Sequence, residues 1–148
     1  GMTRMTVRSH RLVESASFDL RRRQSRAQTD ELRERARFLD RREQRLIEDL
    51  FEAGLSCSAI AAGLGRDART VRREIRGITK RLLDPRFEFV TTCAPNWQPT
   101  RRRIAECLYV RGKGMRKTAR HIGTSLYNVR RHRDAIEALF EARLHRGQ

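Results

Sequence analysis

The sequence predicts an all-α fold: two tandem trihelical repeats, with an N-terminal arm or helix ahead of them. Three observations predict it. Laying residues 46–82 over residues 104–140 brings Arg45 onto Arg103, Glu48 onto Glu106, Gly54 onto Gly112 and Gly65 onto Gly123, at an offset of 58 positions. Val71-Arg72-Arg73 then meets Val129-Arg130-Arg131. Within each copy a small residue (Ala61, Ala119), a glycine four positions later and a β-branched residue six beyond that let two helices cross at a tight turn. In the first copy, Val71, Ile75, Ile78 and Leu82 also recur at steps of four, three and four, the spacing of one helical face. These are the requirements of a helix-turn-helix, whose second helix is presented to a groove of DNA.

Residues 1–39 carry ten arginines against five acids, and the first half shows no sustained apolar period. A flexible basic arm is expected there. Order is expected to begin near Thr29, where Leu32, Ala36 and Leu39 recur at helical spacing. So thin an apolar face needs a partner, and the helix is expected to lead into the first repeat or lie against it.

The first repeat spans residues 40–83. Asp40 with Glu43 three positions on reads as a capping box, Leu46, Ile47, Leu50 and Phe51 as a buried face, and Gly54 as the stop. Ser56 caps a short helix whose inner side is Ala59, Ile60 and Gly63-Leu64, and Gly65 turns the chain. Asp67 is the expected N-cap of the recognition helix.

Residues 84–99 hold all three prolines and one basic residue, and read as a linker. Phe87, Phe89, Val90 and Trp97 are too apolar for a solvated tether, so the segment is expected to pack between the repeats. Trp97 reads as a core or staple residue rather than a ligand-stacking one. The second repeat, residues 100–148, starts at a Thr100 cap. Ile104, Ala105, Leu108 and Tyr109 form its buttress face, and Ser125 caps its recognition helix. Thr118 and Arg133 replace Ile60 and Ile75, so Met115, Ile122, Val129, Ile136, Leu139 and Phe140 must complete this core.

Composition bounds the function. The net charge is +16, and 31 of the 34 basic residues are arginine, whose planar fork suits phosphate and guanine. A GC-rich genome explains arginine over lysine but not the surplus of charge, so polyanions are the expected partners. Cys57, Cys93 and Cys107 are odd in number and far apart, which suggests free thiols and neither a disulfide framework nor a zinc site. Gly1 ahead of Met2 reads as a tag-cleavage scar. No stretch is apolar enough to span a membrane and the start lacks a secretory signal, so a cytoplasmic protein is expected.

A helix in the major groove reads bases with side chains of its first turns, while nearby basic groups neutralise phosphates. Arg69, Arg72, Arg73 and Arg76 are the expected contacts of the first repeat, with Thr70 donating to a phosphate. Tyr127, Asn128, Arg130, Arg131 and Arg133 occupy the corresponding surface of the second, and Asn128 suits bidentate recognition of adenine. The plainer reading makes the arginines a solvated face paired with acids at helical spacing, such as Arg69 with Glu74.

The stretch "FLDRREQRLIEDLFEAGLSCSAIAAGLGRDARTVRREIRGITKRLL", residues 38–83, resembles the promoter-reading C-terminal domain of bacterial sigma factors. Arg42-Glu43-Gln44, Gly54-Leu55-Ser56, Ile60-Ala61, Leu64-Gly65 and Thr70-Val71-Arg72 carry the resemblance. It implies a bacterial, nucleoid-associated protein whose recognition helix enters the major groove of a promoter element through Arg69, Thr70, Arg72 and Arg73. It also implies docking on RNA polymerase. The same signature is similar to response-regulator output domains and to the helix-turn-helix of insertion-sequence transposases, "GRDARTVRREIRG" above all. No aromatic-rich promoter-melting segment and no transposase catalytic domain are expected within these 148 residues.

The expected function is sequence-specific binding of double-stranded DNA by a sigma-like transcriptional regulator using two recognition helices. The alternatives are a DNA-binding subunit of a transposase or recombination system and a polymerase-docking module. RNA binding fits less well, because the major groove of A-form RNA is too narrow for a helix. The sequence is compatible with a homodimer. An enzyme is not expected: His10, His121, His132 and His145 lack metal-ligand spacing, no phosphate loop follows a strand, and no cofactor is implied. His121 and His132 read as surface or phosphate-contacting residues.

Overall fold

The computed structural model describes residues 26–147, and these form eight α-helices with no strand among them. The expected basic arm lies outside the described residues. Residues through Leu82 form one compact unit and those from Leu83 onward a second.

In the first unit, α1 (Arg26–Ala36) buries Leu32 and Ala36, and Leu39 follows them into the core. Arg35 donates from Nη1 to the carbonyl of Leu82 at 2.9 Å, so a cation of α1 satisfies one of the last carbonyls of α4 (Ala68–Leu83). Helix α2 (Arg41–Phe51) begins where the Asp40 carboxylate accepts from the Glu43 N–H at 2.8 Å. Only this half of the expected box uses side chains in that way. The Glu43 carboxylate turns instead to Arg81 of α4, in a two-pronged pair with both contacts at 3.0 Å. Leu46, Ile47 and Leu50 are buried while Phe51 is half-buried.

Ser56 caps α3 (Cys57–Leu64), which buries Cys57, Ile60 and Ala61. Leu64, expected on the inner side, is 47% exposed because the helix ends there and Gly65 turns the chain away at φ 66°. Asp67 caps α4 by accepting from the Thr70 N–H at 3.1 Å. Val71, Ile75, Ile78 and Leu82 are all at most 1% exposed. Each such side chain contributes about 1.5–3 kcal/mol of burial, which holds α4 rigidly by one face.

The second unit opens with a helix where a linker was expected. Asp84 caps α5 (Pro85–Cys93) by accepting from the Arg86 N–H, and Pro85 sits at the first position, where its missing N–H is harmless. Phe87 and Val90 are fully buried and Phe89 nearly so. Residues 84–99 are part of the second unit. Phe89 sets its ring 5.5 Å from Phe140 and 5.8 Å from Trp97, which makes Trp97 an aromatic-cluster residue.

Helix α6 (Pro99–Ala105) runs on into a π-helical turn, Glu106–Val110. Its cap is Gln98, whose side chain accepts from the Thr100 N–H, and Thr100 lies inside the helix rather than at its start. Pro99 at the first helical position moves the cap upstream of the expected one. Gly114 precedes α7 (Met115–Ile122), and Ser125 caps α8 (Leu126–Arg146). Ile104, Ala119 and Val129 form a buried cluster on which Leu108, Met115 and Ile122 pack. Ile136 and Phe140 are buried as expected, but Leu139 is 39% exposed, one helical step off that face.

The helices of the two units keep one register. Those starting at Arg41, Cys57 and Ala68 are followed 58 positions on by those starting at Pro99, Met115 and Leu126. Gly54 and Gly112 share φ 68°, and Gly65 and Gly123 are both left-handed, at 66° and 80°. The turn hydrogen bonds keep the same offset: Leu55 N–H to Asp49 O and Lys113 N–H to Cys107 O, then Arg66 N–H to Ala61 O and Thr124 N–H to Ala119 O.

Candidate nucleic-acid interface

Helix α4 is anchored by its apolar face, so its opposite face is the one offered to solvent. At about 100° per residue, Arg69, Arg73 and Arg76 fall within an arc of about 60° opposite Val71, Ile75, Ile78 and Leu82. All three are exposed. Lys80 extends the same stripe by one turn and is also exposed. It was not among the expected contacts, although its spacing of four from Arg76 was available in the sequence.

Two other expected contacts are hydrogen-bonded within the domain. The Thr70 hydroxyl donates to the Asp67 carboxylate at 3.3 Å and so belongs to the cap of α4. Arg72 is half-buried and donates from Nη2 to the Ser58 hydroxyl of α3 at 3.4 Å, tying together the two helices of the motif. The acid at helical spacing, Glu74, pairs with Arg42 of α2 and with Arg66 in the turn rather than with Arg69. Among the described residues, Arg69 and Arg73 have no acidic partner, which is the arrangement expected of side chains that meet phosphates or base edges.

The face of α8 is chemically different. Tyr127 is 74% exposed, and Arg130 and Arg131 are exposed beside it. Asn128, expected to read adenine, is engaged at both ends of its amide: Nδ2 donates to the Thr124 hydroxyl at 3.0 Å, and Oδ1 accepts from Arg131 at 2.9 Å. Arg133 is half-buried and pairs with Asp134 at 3.2 Å. At the positions that Arg69, Arg73, Arg76 and Lys80 hold in α4, α8 has Tyr127, Arg131, Asp134 and Ala138.

His132, expected at the surface, is 3% exposed, and its Nδ1 accepts from Arg101 Nε at 3.2 Å. Burial, then the neighbouring Arg101 and Arg131, hold the pKa of its imidazole below the usual range. Further along α8, Glu137 joins Arg86, 3.0 Å away, to the Tyr109 hydroxyl, which donates at 2.6 Å. Burial and that hydrogen bond push the Tyr109 phenol up. Cys57 and Cys107 are buried thiols in no disulfide, the second with its pKa pushed up by burial.

Besides Arg130 and Arg131, the second unit exposes cations one helix earlier. Arg116, Lys117 and Arg120 of α7 are all exposed, where α3 has Ser58, Ala59 and Ala62. None of the three was among the expected contacts; they were legible only as a surplus of charge in residues 101–146. Among the described residues no cluster of three or more His, Cys, Asp or Glu side chains is placed to hold a metal, and no helix is long and apolar enough to cross a membrane.

A family model described as a helix-turn-helix domain matches residues 32–77, from Leu32 in α1 to Gly77 in α4. No curated protein and no solved structure matches the chain. The chain therefore contains a helix-turn-helix domain, and DNA is the partner such a domain suggests.

Proposed function

We propose that the chain is a sequence-specific double-stranded DNA-binding protein, not an enzyme, that acts as a sigma-like transcriptional regulator and reads bases with α4. The observation that carries this is the exposed stripe of Arg69, Arg73 and Arg76 on the helix that the matched domain would set into the major groove. The contacts of Arg72 and Thr70 give them a supporting role, orienting α4 on α3 and starting it.

The second unit is a second helix-turn-helix by this reading. Its support is the common offset of helix starts, left-handed glycines and turn hydrogen bonds. Docking on RNA polymerase is part of the proposal, and its support is the resemblance carried by residues 38–83.

The test is selection of bound sequences from a random duplex pool at near-physiological salt, with wild type beside a variant carrying Arg69→Ala and Arg73→Ala. The expected result is an enriched motif that the variant relaxes at one to three positions, each weakened by about 1–3 kcal/mol. Binding without enrichment, following ionic strength alone, overturns the sequence-specific reading.

A further inference from the structure

Only in the second unit does the short helix before the turn expose cations, alongside Arg130 and Arg131 of α8. In the first unit α3 is neutral and small on its outer side, while α4 carries the arginine stripe. In the second unit α7 has no acid and exposes Arg116, Lys117 and Arg120. Its other side is committed to the core through Thr118 and Ala119, with Met115 and Ile122 packed on the same cluster. At about 100° per residue the three cations occupy an arc of about 100° turned away from that core. They have no acidic partner among the described residues.

Helix α8 carries less of what a reading helix needs. The Asn128 amide is occupied by Thr124 and Arg131, and Asp134 sets a carboxylate where α4 has Arg76. A carboxylate on that stripe repels phosphate.

We propose that α7 is a phosphate-binding surface: it grips the sugar-phosphate backbone of duplex DNA without reading its sequence, and discrimination rests with α4. The proposal builds on the DNA-binding reading above. It divides the labour between the units, α4 supplying contacts to base edges and α7 supplying charge. Long side chains on a rigid, core-anchored helix suit phosphates, which look alike at every base pair. Interactions of this kind set affinity and salt dependence and leave the ratio between sequences alone.

The experiment compares the full chain with a variant carrying Arg116→Gln, Lys117→Gln and Arg120→Gln. Binding is measured across a range of salt on the duplex selected by wild type and on a scrambled duplex of the same length. The variant is expected to lose affinity by the same factor on both duplexes. Its slope of log K against log salt should be shallower by about 2 to 3, close to 0.9 for each phosphate that is no longer neutralised. A second variant, Arg116→Lys with Arg120→Lys, should keep the wild-type slope, because a phosphate asks only for charge. The three positions are exposed, and a circular dichroism melt equal to wild type checks the fold.

An unchanged slope in the Gln variant overturns the proposal and leaves the reading by α4 standing. A changed ratio between the two duplexes also overturns it, by making α7 a reader. Wild-type binding without preference between duplexes, together with the shallower variant slope, overturns the reading by α4 and supports the phosphate surface. Failure of wild type to bind either duplex overturns both.

Discussion

Thr118 is wholly buried, and its hydroxyl has no hydrogen-bond partner among the described residues. It stands 58 positions after Ile60, and a polar group fills a core slot there, where the first unit has a hydrocarbon. An unsatisfied buried hydroxyl costs about 1–3 kcal/mol. Thr118→Val, of nearly the same shape, should therefore raise stability by about 1 kcal/mol in a urea melt. His132 is buried with its acceptor on Arg101, and the pKa of its imidazole is held below the usual range. Because the folded pKa lies below the unfolded one, its contribution is present above about pH 6.5 and is lost as pH falls below that. His132→Gln keeps an acceptor for Arg101 but does not titrate. Wild type should thus lose more melting temperature than this variant between about pH 7.5 and pH 5; equal losses would mean that His132 is protonated in the fold. The sequence surrounds His132 with Arg130, Arg131 and Arg133 and so reads as surface there. What buries it is its place three residues after Val129 and four before Ile136, on the inner side of α8.

Between elements, the pair Glu43–Arg81 joins the first turn of α2 to the last turns of α4 across 38 residues. Both side chains are well covered, at 12% and 18% exposure, so removing one partner strands the other. Arg81→Ala should destabilise by about 2 kcal/mol, whereas Glu43→Leu with Arg81→Leu should recover most of that loss. A double-mutant cycle by chemical denaturation checks both. The capping box was legible in Asp40 and Glu43, but the destination of the Glu43 carboxylate was not, since no local pattern links it to Arg81. In the same way Pro85 signalled a break between elements, yet Asp84 as cap and Pro85 at the first helical position start a helix. The apolar content of Phe87, Phe89 and Val90 was the better guide to that segment than its prolines.

For the molecule as a whole the surplus of charge makes ionic strength the decisive variable. If each unit neutralises three or four phosphates, the slope of log K against log salt should be about −6. Titration of a fluorescent duplex between 50 and 200 mM salt should then show an affinity loss of about three and a half orders of magnitude. A slope near zero would mark the charge as incidental to a protein-docking role.

The all-α class, the order of the helices apart from α5, the four turning glycines and the caps at Asp40, Ser56, Asp67 and Ser125 were legible in the chain, along with most of the core. These depend on local chemistry: helical periodicity, side-chain caps and the left-handed conformation that glycine tolerates. Which polar side chains stand open to solvent and which are engaged within the protein was settled by packing. Arg69 and Arg72 look alike in the chain, but one stands on the open side of α4 and the other reaches Ser58 on α3. Asn128 looks like a base reader until Thr124 and Arg131 occupy its amide. A hydrogen-bonding or charged group takes its role from whatever lies within about 3 Å of it. For Arg72 that neighbour comes from another helix, fourteen residues away in the chain.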